Sequence, residues 1–195
     1  MSRLIPVLYG SVRGHRQGDR VAKFLVDRIA ARGDRPTFVD PAEYPLPLLD
    51  KMAKEYASVD AMPDAMGRLH GLFEQADAYV VCTAEYNHAP PPALLNMLST
   101  FQTEFYWKPS AIACYSVGSF GGVRAAMTLR CTLPELGMSS IPSILPFPNM
   151  NDLLDVAGKP AGDADRLHKR TDKFLDELNW YSDALAAKRE EGIPG

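Results

Sequence analysis

Three short stretches gather polar side chains, with glycines or prolines among them, at spacings suited to holding a ligand. In the first, YGSVRGHRQGDR over residues 9–20, Ser11 supplies a hydroxyl and Arg13 and Arg16 supply forked cations. Gly10, Gly14 and Gly18 let the backbone turn closely. A helical pattern begins near Asp19, so bare amides and the positive end of a helix dipole face back onto the loop. Together these groups describe a phosphate cradle, with a merely polar connection as the alternative. The spacing is neither G-x-G-x-x-G nor a Walker loop, because the Gly-Lys-Ser/Thr ending is absent.

The second stretch, TAEYNHAPPP over residues 83–92, follows an apolar run and places Ala84, Glu85, Tyr86 and Asn87 ahead of Pro90, Pro91 and Pro92. Three prolines fix φ and stiffen the chain, and proline is tolerated in the first turn of a helix because that position needs no amide hydrogen. Rigidity with exposed amides suits a flat heteroaromatic ring; a helix cap with an Asn turn explains the residues equally well. The third stretch, YSVGSFGGVRAAMTLR over residues 115–130, offers the hydroxyls of Ser116 and Ser119. Gly118, Gly121 and Gly122 permit close backbone approach there, and Arg124 falls in the first turn of the next helix.

Other chemistries find little support. Ser, His and Asp show no arrangement for nucleophilic catalysis, and the G-x-S-x-G elbow is missing because Val117 stands where its first glycine belongs. His70 and His168 fall in helical stretches as surface or boundary residues, while His15 is either part of the first loop's site or simply solvent-facing. Cys82, Cys114 and Cys131 are widely spaced, form no C-x-x-C pair and have no histidine at ligand spacing. They are read as buried reduced thiols, which points to the cytoplasm and to no metal site. Twenty-one basic against 24 acidic residues give a net charge of -3, with no basic run, against nucleic-acid binding. The apolar runs are too short to span a membrane, and the N-terminus shows no signal region.

These loops need a scaffold, and the intervening segments supply one. Short apolar runs at 3–9, 37–40, 78–83, 110–116 and about 138–142 alternate with helical patterns at about 19–32, 62–76, 91–103, 123–136 and 163–189. Strands alternating with helices imply parallel βαβ crossovers. Residues 1–195 are therefore predicted to form one α/β domain, a flavodoxin-like three-layer sandwich around a five-stranded parallel sheet of order 2-1-3-4-5. In such sheets ligands bind at the carboxyl ends of the strands near the switch point, where the loops after strands 1, 3 and 4 meet. The aromatic cluster Phe101, Phe105, Tyr106 and Trp107 is assignable to the core, to the rim of the site or to a subunit contact.

With those residues laid out, the chain resembles the NADPH-dependent FMN reductase family of flavodoxin-fold oxidoreductases, which includes quinone and azo-dye reductases. The resemblance rests on Gly10-Ser11-Val12-Arg13, on Ala84-Glu85-Tyr86-Asn87 with Pro91 and Asn96, and on Gly121-Gly122-Val123-Arg124 with Leu129-Arg130. Lys108-Pro109 and the final Asn179-Trp180-Tyr181 also match, so the likeness spans nearly the whole chain. It implies FMN as cofactor and NADPH or NADH as co-substrate, with electrons passing to a flavin, quinone or similar small acceptor. Ser11, Arg13, Arg16, Gln17 and Gly18 would hold the phosphate. Ala84, Glu85, Tyr86 and Asn87 would line the flavin ring, and Ser116, Gly118, Ser119 and Gly121 would close its other edge.

No acid or nucleophile is expected to be indispensable, because the cofactor carries the chemistry. The family is typically dimeric or tetrameric, so a homodimer or homotetramer is implied. Departures are Arg16 in place of a common Ser, Gly18 in place of Asn, Ala84 in place of Pro and Leu95 in place of Lys. The contrasting reading is a non-enzymatic flavodoxin-like electron carrier, which would need a strongly acidic docking surface that a net charge of -3 does not supply.

Overall fold

The computed structural model describes residues 2–194. Five strands, β1 (Leu4–Tyr9), β2 (Arg35–Val39), β3 (Tyr79–Ala84), β4 (Pro109–Tyr115) and β5 (Ser139–Phe147), form one parallel sheet of order β2-β1-β3-β4-β5. The helices are α1 (Asp19–Ala31), α2 (Asp64–Gln75), α3 (Pro92–Thr100), α4 (Val123–Glu135), the short α5 (Met150–Leu153) and α6 (Ala164–Glu191). Architecture and strand order are those expected from the alternation of strands and helices.

Side chains of a strand alternate between faces, and that alternation builds two cores. Ile5, Val7 and Tyr9 join Val80, Cys82, Ala111 and Ala113 beneath α1 and α6, whose Val21, Leu25, Phe174 and Leu178 are buried there. Leu8, Tyr79, Val81, Ile112 and Cys114 face the other way, onto Leu69 and Phe73 of α2, Leu94 and Leu98 of α3, and Leu129 and Leu133 of α4. The sheet is thus covered on both sides, which explains why β3 and β4 are buried along their whole length.

Two features depart from the sequence expectation, and a third resolves a choice it left open. β5 continues to Phe147 rather than stopping near residue 142, through Pro142 and Pro146. It is an edge strand, so alternate amides have no ladder partner, and the two prolines stand at that spacing. Cys82 and Cys114 are buried free thiols, but Cys131 is exposed: α4 buries Ala125, Ala126, Leu129 and Leu133, and residue 131 falls on its outer side. The aromatic cluster divides. Phe101 and Phe105 pack fully buried against Phe73 and Tyr79, whereas Tyr106 and Trp107 are partly exposed just before β4. That is the end of the sheet opposite the loops after β1, β3 and β4.

Lys108, in the same segment, has a structural task. Its Nζ donates to the carbonyls of Phe73 (2.7 Å) and Glu74 (2.8 Å), satisfying the C-terminal end of α2. Burial pushes its pKa down to about 8.

Candidate functional site

At the carboxyl end of the sheet, the loops after β1, β3 and β4 and the start of α5 enclose a cavity of about 420 Å³, within the range of about 300–1,000 Å³ usual for small-molecule sites. Ser11, Arg13, Arg16, Gln17 and Gly18 line it from the first loop, Ala84, Glu85 and Tyr86 from the second, and Ser116 from the third. Four sequence-selected residues are not on this wall. Asn87 sits in the turn between Tyr86 and Ala89, beside a separate groove. Gly118, Ser119 and Gly121 form the arch of the third loop, where the Ser116 hydroxyl donates to the Gly118 carbonyl (2.6 Å) and accepts from the Gly121 amide (2.8 Å).

His15, Tyr115, Val117 and Met150 complete the wall. The sequence left His15 open and gave no weight to the others. Tyr115 and Val117 fell inside the third stretch without a role of their own, although the place of Tyr115 at the C-terminal end of β4 was a usable signal. Met150 arrives from beyond β5, and nothing local marks it.

The stretch at residues 83–92 has a specific shape. Tyr86 and Ala89 exchange both backbone hydrogen bonds (2.8 and 2.9 Å), and the two residues between them, Asn87 and His88, have φ of 51° and 68°. Two successive positive φ values are what a type I′ turn requires, and Asn tolerates that region better than most residues. Beyond this tight turn, Pro91 is the N-cap and Pro92 the first residue of α3.

The loops brace one another around the cavity. Ser11 Oγ and Tyr86 Oη lie 2.5 Å apart, joining the first loop to the second. Glu85 joins the second to α4: its carboxylate accepts from Arg124 Nη1 at 2.8 Å and from the Arg124 amide at 3.1 Å. The Ser116 amide donates to the Phe147 carbonyl and its own carbonyl accepts from the Met150 amide, joining the third loop to the segment after β5. That segment returns to the first loop through Asn151 Nδ2 on Gln17 Oε1 (2.8 Å). Arg20 completes the link by donating to the carbonyls of Gln17 and Leu154 (both 3.0 Å). A circuit of this kind holds the site in shape before any ligand arrives.

Two helix N-termini meet this circuit, and they differ. α1 has Gly18 as its N-cap and no side-chain cap, and among the described residues the amides of Gln17, Gly18 and Asp19 find no acceptor. α4 is closed by Glu85. Burial pushes the Glu85 carboxyl up, but the hydrogen bonds and charge of Arg124 more than reverse this and leave it below its ordinary value of 4.5. The open anion seat is therefore at α1.

The two arginines of the first loop also differ. Arg16 grips Asp40, just after β2, through both terminal nitrogens, with Nη1 at 2.6 Å from Oδ1, and it donates to the Ser11 carbonyl at 2.8 Å. Asp40 is buried and also accepts from the Ala42 amide at 2.9 Å. Arg13, by contrast, has no acidic partner among the described residues and lies 5.9 Å from the centre of the Tyr86 ring. The bidentate face that the sequence reading assigned to phosphate at Arg16 is thus spent on Asp40.

Gly18 is required by its neighbour. A Cβ there would fall 2.0 Å from the Tyr115 ring, which stacks on Tyr9 with centroids 6.2 Å apart. Burial pushes the Tyr9 pKa up to about 12 and that of Tyr115 well above its ordinary value, so both phenols are neutral.

Comparison with known proteins identifies the family and agrees with the fold. The sequence pattern of the NADPH-dependent FMN reductase family matches residues 4–152. An NADPH azoreductase from Bacillus sp. (strain OY1-2) is 30% identical over 139 residues, 70% of this chain and 71% of the relative. A quinone reductase from Pseudomonas putida is 27% identical over 139 residues, covering 69% and 71%. Among solved structures, the flavoenzyme NAD(P)H:(acceptor) oxidoreductase FerB from Paracoccus denitrificans superposes with a TM-score of 0.77 at 21% identity, over 92% of this chain and 98% of that one. The chain belongs to the NADPH-dependent FMN reductase family, and it is an NAD(P)H-dependent oxidoreductase with FMN as its cofactor. Among the described residues no helix is long and apolar enough to cross a membrane, and no cluster of His, Cys, Asp and Glu could hold a metal ion.

Proposed function

We propose, from that membership, that the cavity above β1, β3 and β4 seats FMN and that this chain reduces a small conjugated acceptor such as a quinone. The observation that carries the reading is the uncapped N-terminus of α1 beside Arg13, the cation of the cavity wall with no acidic partner among the described residues. A phosphate there would meet bare amides, a hydroxyl and a guanidinium at once. Gly18 supports the same reading through its neighbour, since its missing side chain leaves room for the Tyr115 ring at the cavity wall.

Bound FMN would supply the redox chemistry, taking two electrons from NAD(P)H and passing them to a second substrate. The chain's share is to bind and orient. Ser11, Arg13, Gln17 and Gly18 would hold the phosphate, with Arg16 shaping the loop from its anchor on Asp40. Ala84, Glu85 and Tyr86 would lie along the ring, Asn87 would set the turn, and Ser116, Gly118, Ser119 and Gly121 would arch over the far edge. An azo group and a quinone are both conjugated, and an open ring face can serve either, which supports a broad acceptor range.

We read residues 1–195 as one domain, because both cores are built on a single sheet. The exposed apolar side chains Leu48, Val117 and Phe120 lie on loops bordering the site and support a homo-oligomer. Two buried free thiols and one exposed one suit a reducing compartment, the cytoplasm.

The test is direct. The purified protein should be yellow, release FMN on denaturation, and oxidise NADPH or NADH with quinones as acceptors. Protein that takes up no FMN from solution would sink the site assignment. FMN-loaded protein that turns over NAD(P)H with no quinone or azo compound would sink the acceptor assignment alone.

A further inference from the structure

Glu85 stands apart from the other acids near the cavity. It lines the wall, its side chain is only 11% exposed, and both its oxygens are engaged by one residue, Arg124. The Arg124 guanidinium in turn lies 4.0 Å from the centre of the Phe120 ring, which fixes it beside the arch of the third loop. One carboxylate therefore offsets two sources of positive charge, the N-terminus of α4 and the guanidinium. Both lie within 3.1 Å of the carboxylate on the cavity wall, and charges so placed act on a charge inside it.

We infer that Glu85 masks Arg124, and that this masking sets how much more tightly the site holds reduced FMN than oxidised FMN. The inference rests on the proposed placement of the flavin ring along Glu85 and Tyr86. Reduction of FMN by NAD(P)H adds two electrons and one proton, so the ring in its anionic reduced form carries one more negative charge than before. A cation facing the ring favours that form, and an unmasked carboxylate disfavours it. With Glu85 and Arg124 paired, neither charge acts alone. Because burial is outweighed by Arg124, the carboxyl stays ionised and the mask holds at neutral pH. Glu85 acts here through Arg124 and is a positioning residue for the site's charge.

Substitutions on the two sides of the pair separate this role from simple bracing. Apo protein is titrated anaerobically with oxidised and with reduced FMN, and the midpoint potential of the bound flavin is measured. Glu85→Gln exposes the cation and should shift the ratio of the two dissociation constants about tenfold toward the reduced form, about 30 mV upward for a two-electron couple. Arg124→Gln exposes the carboxylate and should shift the ratio by a similar factor in the opposite direction. The double variant should return the ratio to that of the wild type.

If Glu85→Gln does not fold, Arg124→Lys and Arg124→Gln decide, since only the second should move the ratio. A bond that merely braces two loops would weaken both forms alike, or would move the ratio in the same direction in both single variants. Either result overturns the inference. Wild-type protein that binds no FMN would instead overturn the site assignment, so the two failures are distinguishable.

Discussion

The hydroxyls of Ser11 and Tyr86, 2.5 Å apart, tie the loop after β1 to the tight turn after β3. One hydroxyl donates and the other accepts, leaving one proton to reach a ligand. Tyr86→Phe keeps the ring and removes the tie. The loss should be about 0.5–1.5 kcal/mol, the usual net worth of such a bond, or up to about tenfold in FMN affinity. Fluorescence quenching on titration with FMN checks the affinity, and thermal unfolding should register a loss of the same order, since the tie is made without ligand.

Arg13 and Arg16 look interchangeable in sequence and should behave differently. Arg13 is exposed with no acidic partner, so Arg13→Ala should leave stability unchanged and weaken FMN binding by about 1.5–3 kcal/mol, the range for hydrogen bonds to a charged group. Turnover at saturating FMN should survive. Arg16→Met leaves the Asp40 carboxylate buried without its cation and should cost about 3 kcal/mol of folding stability, read as a lower urea midpoint. Equal stabilities for the two variants would contradict the division of labour.

A methyl group at residue 18 has nowhere to go. Gly18→Ala places carbon 2.0 Å from the ring of Tyr115, which is held by its stack on Tyr9. The variant should lose more than about 2 kcal/mol through overpacking and bind FMN poorly. With the obstacle shrunk in Tyr115→Val, Gly18→Ala should cost much less stability than it does in the wild type. An equal cost in both would mean that the clash is not the cause.

Legibility in the sequence followed distance along the chain. The sheet order was readable because each strand and helix announces itself within a few residues, through apolar runs of one length and helical spacing of another. That Ser11, Arg13 and Gly18 fall on one cavity wall was within reach of the sequence because they stand close together in the chain just before α1. What could not be read was which acid meets which cation: Asp40 with Arg16, or Glu85 with Arg124 across 39 positions. Those pairings are decided by which strand ends the sheet sets side by side. Met150 and Asn151 reach the site for the same reason, since β5 delivers them beside the third loop. β5 runs on through Pro142 and Pro146, past the boundary near 142, because proline disfavours a strand only where its amide is needed, and an edge does not need every amide.

The Glu85–Arg124 clamp also predicts the acid response of the fold. Burial raises the carboxyl's pKa, and the Arg124 side-chain bond, its amide and its charge together bring it below the ordinary 4.5. The folded state therefore binds fewer protons here than the unfolded chain does, so this contribution is complete above the unfolded value and lost as pH falls through the folded one. Asp172 has the same sign, held low chiefly by its hydrogen bond from Arg28, so acid weakens the α1–α6 contact as well. Asp172 is shared by wild type and variant, and comparing the two isolates Glu85. Glu85→Gln should be less stable than wild type by about 1–2 kcal/mol at neutral pH, an allowance for a largely buried pair whose cation is partly exposed. The gap should stay level down to about pH 5 and close below pH 4.5, when the wild-type carboxyl takes up its proton and loses its hold on Arg124. Urea unfolding at stepped pH gives the curve. A gap that persists undiminished to pH 3 would show that shape at residue 85, and not its charge, closes the end of α4.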